Sequence, residues 1–196
     1  MKRRSFVQST VAAGLLASPI AQALRDGQKL DKTPSDFEGP FYPEGPRNES
    51  NDLILGAPRS KVLHFRGQVV DVWGRPKPGA LVDIWHTDPL GRYKHTKDDS
   101  PGDRWDDFRY WGEAVVDQEG GFEFRTYVPG AYNPRPAHIH FKIWENRRLL
   151  LTSQAYFAEL GGSQGKSRSP RYSDLQTVSL KDIGDNELHS YLQVVI

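Results

Sequence analysis

The 196-residue sequence contains no cysteine. Disulfides are therefore excluded, and so is any metal site built on thiolates. It also lacks an excess of charge of either sign, with 26 Lys and Arg against 25 Asp and Glu. The net charge of +1 gives no footprint for a polyanion, so nucleic acid is not expected as a partner. Internal repeats and long amphipathic helical stretches are missing as well. The apolar run Val11 to Ala17 is too short to span a bilayer. What is present is enough for one packed domain, with 37% hydrophobic residues. Any metal must be held by His, carboxylate, Tyr or backbone groups.

Residues 1–23 read as an export signal. They have a basic start (Lys2, Arg3, Arg4), an apolar middle and a small-x-small end at Ala21-Gln22-Ala23. Arg3-Arg4 followed by Phe6 resembles the bacterial twin-arginine signal, which moves folded proteins. The rival is an ordinary secretory signal with a basic start. Cleavage after Ala23 would remove three basic residues and no acidic one, so 23 against 25 leaves −2. The expected location is the periplasm or the exterior, with no membrane attachment after signal removal. Residues 24–60, rich in Pro, Gly, Asp and Asn, read as an irregular arm. Within it, the aromatics of Thr33 to Pro43 either pin the arm to the core or line a pocket.

Residues 61–196 read as the main domain. Strands are expected at Val62 to Trp73, Ala80 to His86, Ala114 to Asp117 and Phe122 to Tyr127. Further strands are expected at Ala137 to Trp144, Leu149 to Phe157 and Leu192 to Ile196. Turns fall at Gly74 to Gly79, Asp88 to Gly91 and Gly120-Gly121. Trp105, Phe108 and Trp111 are expected to anchor a charged, irregular stretch, and Gly161 to Ser173 is a Gly/Ser/Arg loop. Short strands with Pro/Gly turns predict an all-β fold: a β-sandwich with long irregular loops and an irregular N-terminal arm.

The chain is organised around Pro129 to Phe141, which carries His138 and His140 with Tyr132 and Arg135 just upstream. On a strand, residues i and i+2 share a face, so the two imidazoles start roughly 6.5–7 Å apart at the backbone. One ion can lie between rings held like that, and a Tyr in the preceding turn can reach it. An isolated His-x-His is more often a hydrogen-bonded pair on a half-buried strand. The nearby Tyr and Arg, and a second Tyr turn ending at Tyr93, favour a metal. A phenolate at neutral pH needs a strong Lewis acid, since free Tyr titrates at about 10. Two phenolates with two imidazoles make a hard anionic set that suits ferric iron best, with zinc and copper left open.

The sequence resembles the intradiol ring-cleavage dioxygenases, the catechol and protocatechuate dioxygenase group. The resemblance runs from about Thr33 to Phe157. It is carried by Glu38-Gly-Pro-Phe-Tyr42, by Gly67 to Ala80, by Asp83-Ile-Trp-His-Thr-Asp-Pro-Leu-Gly-Arg-Tyr93 and by Phe124 to Tyr132. Arg135-Pro-Ala-His-Ile-His140 and Ser153-Gln-Ala-Tyr-Phe157 complete it. The resemblance implies non-haem Fe(III) held by Tyr93, Tyr132, His138 and His140. It implies a catechol and O2 as substrates, and ring opening between the hydroxyl carbons to a muconate-type diacid. Tyr132 would take a substrate proton and leave the metal. Arg135 would stabilise developing negative charge, where its bland role is a loop salt bridge. Gln154 would sit beside the ring, where its bland role is a cross-strand hydrogen bond. Many such relatives assemble, so a homo-oligomer is among the implied states.

The sequence departs from the family in three places. The loop between Tyr132 and His138 is short, which opens the pocket. The helical N-terminal segment of catechol dioxygenases is missing, so their dimer mode does not transfer. His86 stands where many relatives carry Gln and is read as a strand residue near the site. Two other readings compete. A cupin would use His138, His140 and Glu145, but Tyr132 and Thr152 stand where its glycines belong. A non-catalytic transthyretin-like binding module shares the sandwich but needs neither tyrosine.

Overall fold

The computed structural model describes residues 27–45, 48–161 and 174–196. The proposed export signal, at residues 1–23, lies outside them, as does most of the Gly/Ser/Arg loop. Two sheets make the sandwich. One contains β1 (Val62–Val70), β4 (Gly121–Tyr127), β8 (Lys181–Gly184) and β9 (Glu187–Val195), in the order β4-β1-β9-β8. The other contains β2 (Leu81–Trp85), β3 (Trp111–Val115), β5 (His138–Glu145), β6 (Arg148–Phe157) and β7 (Thr177–Val178), in the order β3-β2-β5-β6-β7. Neighbours are antiparallel except β1 with β9 and β6 with β7.

Alternation builds the core. Val82 and Ile84 of β2 and Ile139, Phe141 and Ile143 of β5 point inward, all at most 1% exposed. Phe65 and Val69 of β1, Phe124 of β4 and Val194 of β9 meet them from the other sheet. The complementary residues of β5 are His138, His140 and Lys142, and these are buried too. Cover supplied by the N-terminal arm explains this, because an uncovered sheet face would leave them wet. Thr33 and Val195 exchange hydrogen bonds, and the Asp36 N–H donates to Thr152 O at 2.9 Å. The arm therefore lies across the outer face of the five-stranded sheet.

Several strand ends differ from expectation for local reasons. β1 stops at Val70 because the Asp71 carboxylate accepts the N–H groups of Trp73 and Arg75 and starts the turn. β3 begins at Trp111 and ends at Val115, since Asp117 accepts the N–H groups of Glu119 and Gly121. The turn after β3 passes to β4 in the opposite sheet rather than closing a hairpin. The last strand is nine residues long, not five, because Ser190 sits at an inward position and hides the alternation. Strands β7 and β8 have too few apolar residues to announce themselves.

Candidate metal centre

Two loops and one strand converge on the outer face of the five-stranded sheet. β5 supplies His138 and His140. The β2–β3 connection supplies Tyr93, and the β4–β5 connection supplies Tyr132 and Arg135. The two loops are clamped glycine to glycine. A Cβ on Gly91 would meet Ala131 O at 2.3 Å, and one on Gly130 would meet the Gly91 N at 2.3 Å. Gly130 N–H donates to Asp88 O, and Thr87 Oγ1 donates to Gly130 O, at 2.9 and 2.8 Å. That close approach is what brings the two tyrosines together.

The ring centroids of Tyr93 and Tyr132 are 5.7 Å apart, those of Tyr132 and His138 5.7 Å, and those of His138 and His140 4.6 Å. The four sequence-predicted ligands therefore share one site. His138 Nδ1–H donates to Pro136 O at 2.6 Å, which leaves its Nε2 as a lone pair aimed inward. That Nε2 lies 3.0 Å from His140 Nε2. Trp85 stacks on the His140 ring at 4.8 Å and 7°, and fixes its plane. A Cβ on Gly39 would sit 3.4 Å from His140 Cε1, at a backbone φ of +71° that favours glycine.

Burial sets the charge states. It pushes Tyr93 well above the usual phenol value and raises Tyr132. It lowers His138 to about 4, and burial together with the neighbouring His138 takes His140 well below 6.5. Both imidazoles are thus neutral and ready as donors. The phenols need a cation to ionise. Among the described residues Tyr93 Oη, which is buried, has no hydrogen-bond acceptor or donor of good geometry, the Tyr132 phenol being its neighbour. Two nitrogens bound at about 2.1 Å and at right angles to one ion lie about 3.0 Å apart, the spacing found here. Among the described residues no three His, Asp or Glu side chains form a metal group, so the set is phenol and imidazole. The residues present fit a hard trivalent ion.

Arg135 and Gln154 stand beside this centre. Arg135 Nη2 donates to Gln154 Oε1 and, at 2.9 Å, to Tyr156 Oη. Gln154, fully buried, is opposite His140 in the β5–β6 register and donates to Phe37 O at 2.6 Å. No acidic partner of Arg135 appears in a salt bridge among the described residues. His86 is buried, with both ring nitrogens already bonded, to Thr87 O and Thr126 Oγ1 at 2.8 Å each, so it offers no lone pair to the site.

A family model described as Dioxygenase matches residues 37–135. The chain belongs to the intradiol ring-cleavage dioxygenases. It is 31% identical over 145 residues to a chlorocatechol 1,2-dioxygenase of Pseudomonas sp. strain P51, covering 62% of this chain and 54% of that one. It is 35% identical over 117 residues to a protocatechuate 3,4-dioxygenase beta chain of Burkholderia cepacia, covering 55% and 49%. The chain thus spans about half the length of these curated relatives. Among solved structures it resembles the dioxygenase domain of a dioxygenase–carbohydrate-binding fusion from Streptomyces sp. SirexAA-E, with TM-score 0.69 and 26% identity over 85% of this chain and 98% of that one. It also resembles a 3-chlorocatechol 1,2-dioxygenase from Rhodococcus opacus 1CP, with TM-score 0.66 and 25% identity over 83% and 71%.

The residues that sequence reasoning left without a role lie mostly on the arm. Phe41 stacks on Tyr93 at 4.5 Å, and Tyr42 Oη donates to the fully buried Asp83 at 2.7 Å. Asp83 also accepts from Trp111 and Trp144. Lys142 pairs with Glu38 at 2.6 Å and lies over the Tyr42 ring. The aromatic run Thr33 to Pro43 was the available signal, and here it both pins the arm and walls the site.

Proposed function

We propose that this chain is a non-haem Fe(III) dioxygenase that opens a catechol between its two hydroxyl-bearing carbons, giving a muconate-type diacid. The observation that carries the reading is the convergence of two phenols and two imidazoles with no carboxylate among them. Tyr93, Tyr132, His138 and His140 would hold the iron. Fe(III) held there would supply Lewis acidity toward a catechol and so make its ring reactive toward O2.

The rest of the reading concerns the chain's own groups. Tyr132, half-buried where Tyr93 is buried, is the side chain better placed, once ionised by a bound cation, to take a substrate proton at its phenolate Oη and swing aside as the neutral phenol. His138 cannot turn, because Pro136 O holds its Nδ1–H. Arg135 presents a fixed guanidinium where negative charge develops, and Gln154 holds that guanidinium. The arm excludes water through Phe41 and Tyr42, which strengthens each of these interactions.

The 128–137 loop borders an open cleft of about 1140 Å³ whose walls include Tyr132, Arg135, Lys61 and Leu160. Tyr132 is the one proposed ligand on its wall, so the cleft flanks the centre and gives room for a substituent carried by the catechol. An enzyme exported on a twin-arginine-like signal and assembled from like chains completes the proposal.

Metal analysis, absorbance and product mass test it together. Iron, a broad visible phenolate band and a colourless diacid are expected. A colourless, active zinc protein, or a yellow semialdehyde product, refutes it. Oxygen uptake across substituted catechols then ranks the substrates.

A further inference from the structure

We propose that Asp36, on the N-terminal arm, is a positioning residue for Arg135 and acts through the hydroxyl of Tyr156. Arg135 reaches the site from a loop, and its head is anchored through one nitrogen. Nη2 donates to Gln154 Oε1 and to Tyr156 Oη, while the buried Nε finds no acceptor. Whatever holds Gln154 and Tyr156 therefore holds the guanidinium. The two lie at i and i+2 on β6, on one face, opposite His140 and His138.

The direction of one proton decides the arrangement. Tyr156 has a single O–H and two lone pairs. Two acceptors are within reach, Asp36 Oδ2 and Gln154 Oε1, each at 2.8 Å. An ionised carboxylate only accepts, and hydrogen bonds to it are about twice as strong as neutral ones. The proton therefore goes to Asp36. With its proton on Asp36, Tyr156 Oη accepts from Arg135 Nη2, and Gln154 Oε1 accepts from it as well. Without Asp36 the phenol proton turns to Gln154 Oε1 and competes with Arg135 there.

Asp36 is itself tethered. Its N–H donates to Thr152 O at 2.9 Å, its Oδ1 accepts the Phe37 N–H at 2.7 Å, and Gln176 Nε2 lies 3.4 Å from Oδ2. The chain Arg135 → Tyr156 → Asp36 thus runs from the reacting region to the arm. A segment that looks like packing sets the geometry of a charge-stabilising group.

This inference rests on the role proposed for Arg135, and the test separates the two. In iron-loaded protein, Asp36→Ala and Tyr156→Phe should each lower kcat about 10-fold by misplacing the guanidinium, with KM within about twofold. Iron content and the visible band should not change. Asp36→Asn, whose neutral oxygen is no stronger an acceptor than Gln154 Oε1, should recover only part of the rate. Added to Arg135→Ala, Asp36→Ala should cost nothing further, because its effect passes through that side chain. Crystal structures of the iron-loaded variants should show Arg135 displaced from Gln154 in Asp36→Ala. A full multiplicative loss in the Arg135→Ala background, loss of iron, or an unmoved guanidinium overturns the inference. If Arg135→Ala keeps full turnover while Asp36→Ala still displaces the guanidinium, the positioning stands and the role given to Arg135 fails.

Discussion

Tyr93→Phe should change stability with opposite sign in the metal-free and iron-loaded proteins. Tyr93 is 3% exposed and its hydroxyl lacks a well-placed hydrogen-bond partner. A buried, unsatisfied hydroxyl costs about 1–3 kcal/mol, and the nearby Tyr132 phenol puts this case at the low end. Phe keeps the ring and its stacking on Phe41. The metal-free variant should therefore gain about 1 kcal/mol, which raises Tm by about 2–4 °C for a domain of this size. In the proposed iron-loaded centre the same hydroxyl is a ligand. A hundredfold loss of iron affinity removes about 2.7 kcal/mol of linkage stabilisation; set against the gain of about 1 kcal/mol, the net loss is about 1.7 kcal/mol, on the order of 3–7 °C in Tm. Thermal melts of chelator-treated and iron-loaded samples of both proteins read the two shifts. A variant less stable in both forms would show that Tyr93 is held by protein contacts alone, and the metal reading of its hydroxyl would be wrong.

Other outcomes are as specific. Arg135→Ala should retain iron and colour while turnover falls about 100-fold, measured by oxygen uptake on a catechol. His138→Ala or His140→Ala should lower iron occupancy by metal analysis. His86, held at about 4 by burial, refuses a proton that the unfolded chain takes at 6.5. Its contribution is therefore full above pH 6.5 and is lost as pH falls toward 4, on the order of 3 kcal/mol in all. His138 and His140 are depressed in the same way and add to the slope, so in urea melts of metal-free protein His86→Gln should make it shallower without abolishing it. Arg3→Lys with Arg4→Lys should block export, and unimpaired export would remove the twin-arginine reading.

The four proposed ligands were legible because each sits in a local pattern. His138 and His140 are an i, i+2 pair on an alternating strand, and Tyr93 and Tyr132 each close a glycine turn. The sandwich was legible from the same alternation. What the sequence hid is long-range. Asp36 meets Tyr156 across 120 positions, and Tyr42 meets Asp83 across 41. Neither pairing has a periodicity, because the arm has no regular structure to impose one. Trp85 was quoted in a motif without a role, since only the β2–β5 register places it opposite His140. β8 stayed hidden because every one of its residues is exposed.

The arm also explains why a site can lie on the outside of a sandwich at all. One face of β5 belongs to the core, so the histidines must point away from it. An uncovered outer face would be wet, and water would keep the imidazoles near their ordinary basicity and screen Arg135. The arm replaces that water with Phe41, Tyr42 and Phe37 backbone, and it is pinned by charges as well as by apolar contact. Asp83 is fully buried yet accepts from Tyr42, Trp111 and Trp144, so its charge is met by three donors. Lys142, 4% exposed, is met by Glu38 and the Tyr42 ring. Removing Glu38 leaves the Lys142 ammonium buried against ring faces alone, and removing Tyr42 takes one of three donors from Asp83; both changes are destabilising. Loss of Tyr42 or Glu38 therefore acts first on the arm, and through it on the metal centre. Side chains of the arm thus pack directly against the proposed ligands and the strand that carries them, in what the sequence shows only as an irregular arm.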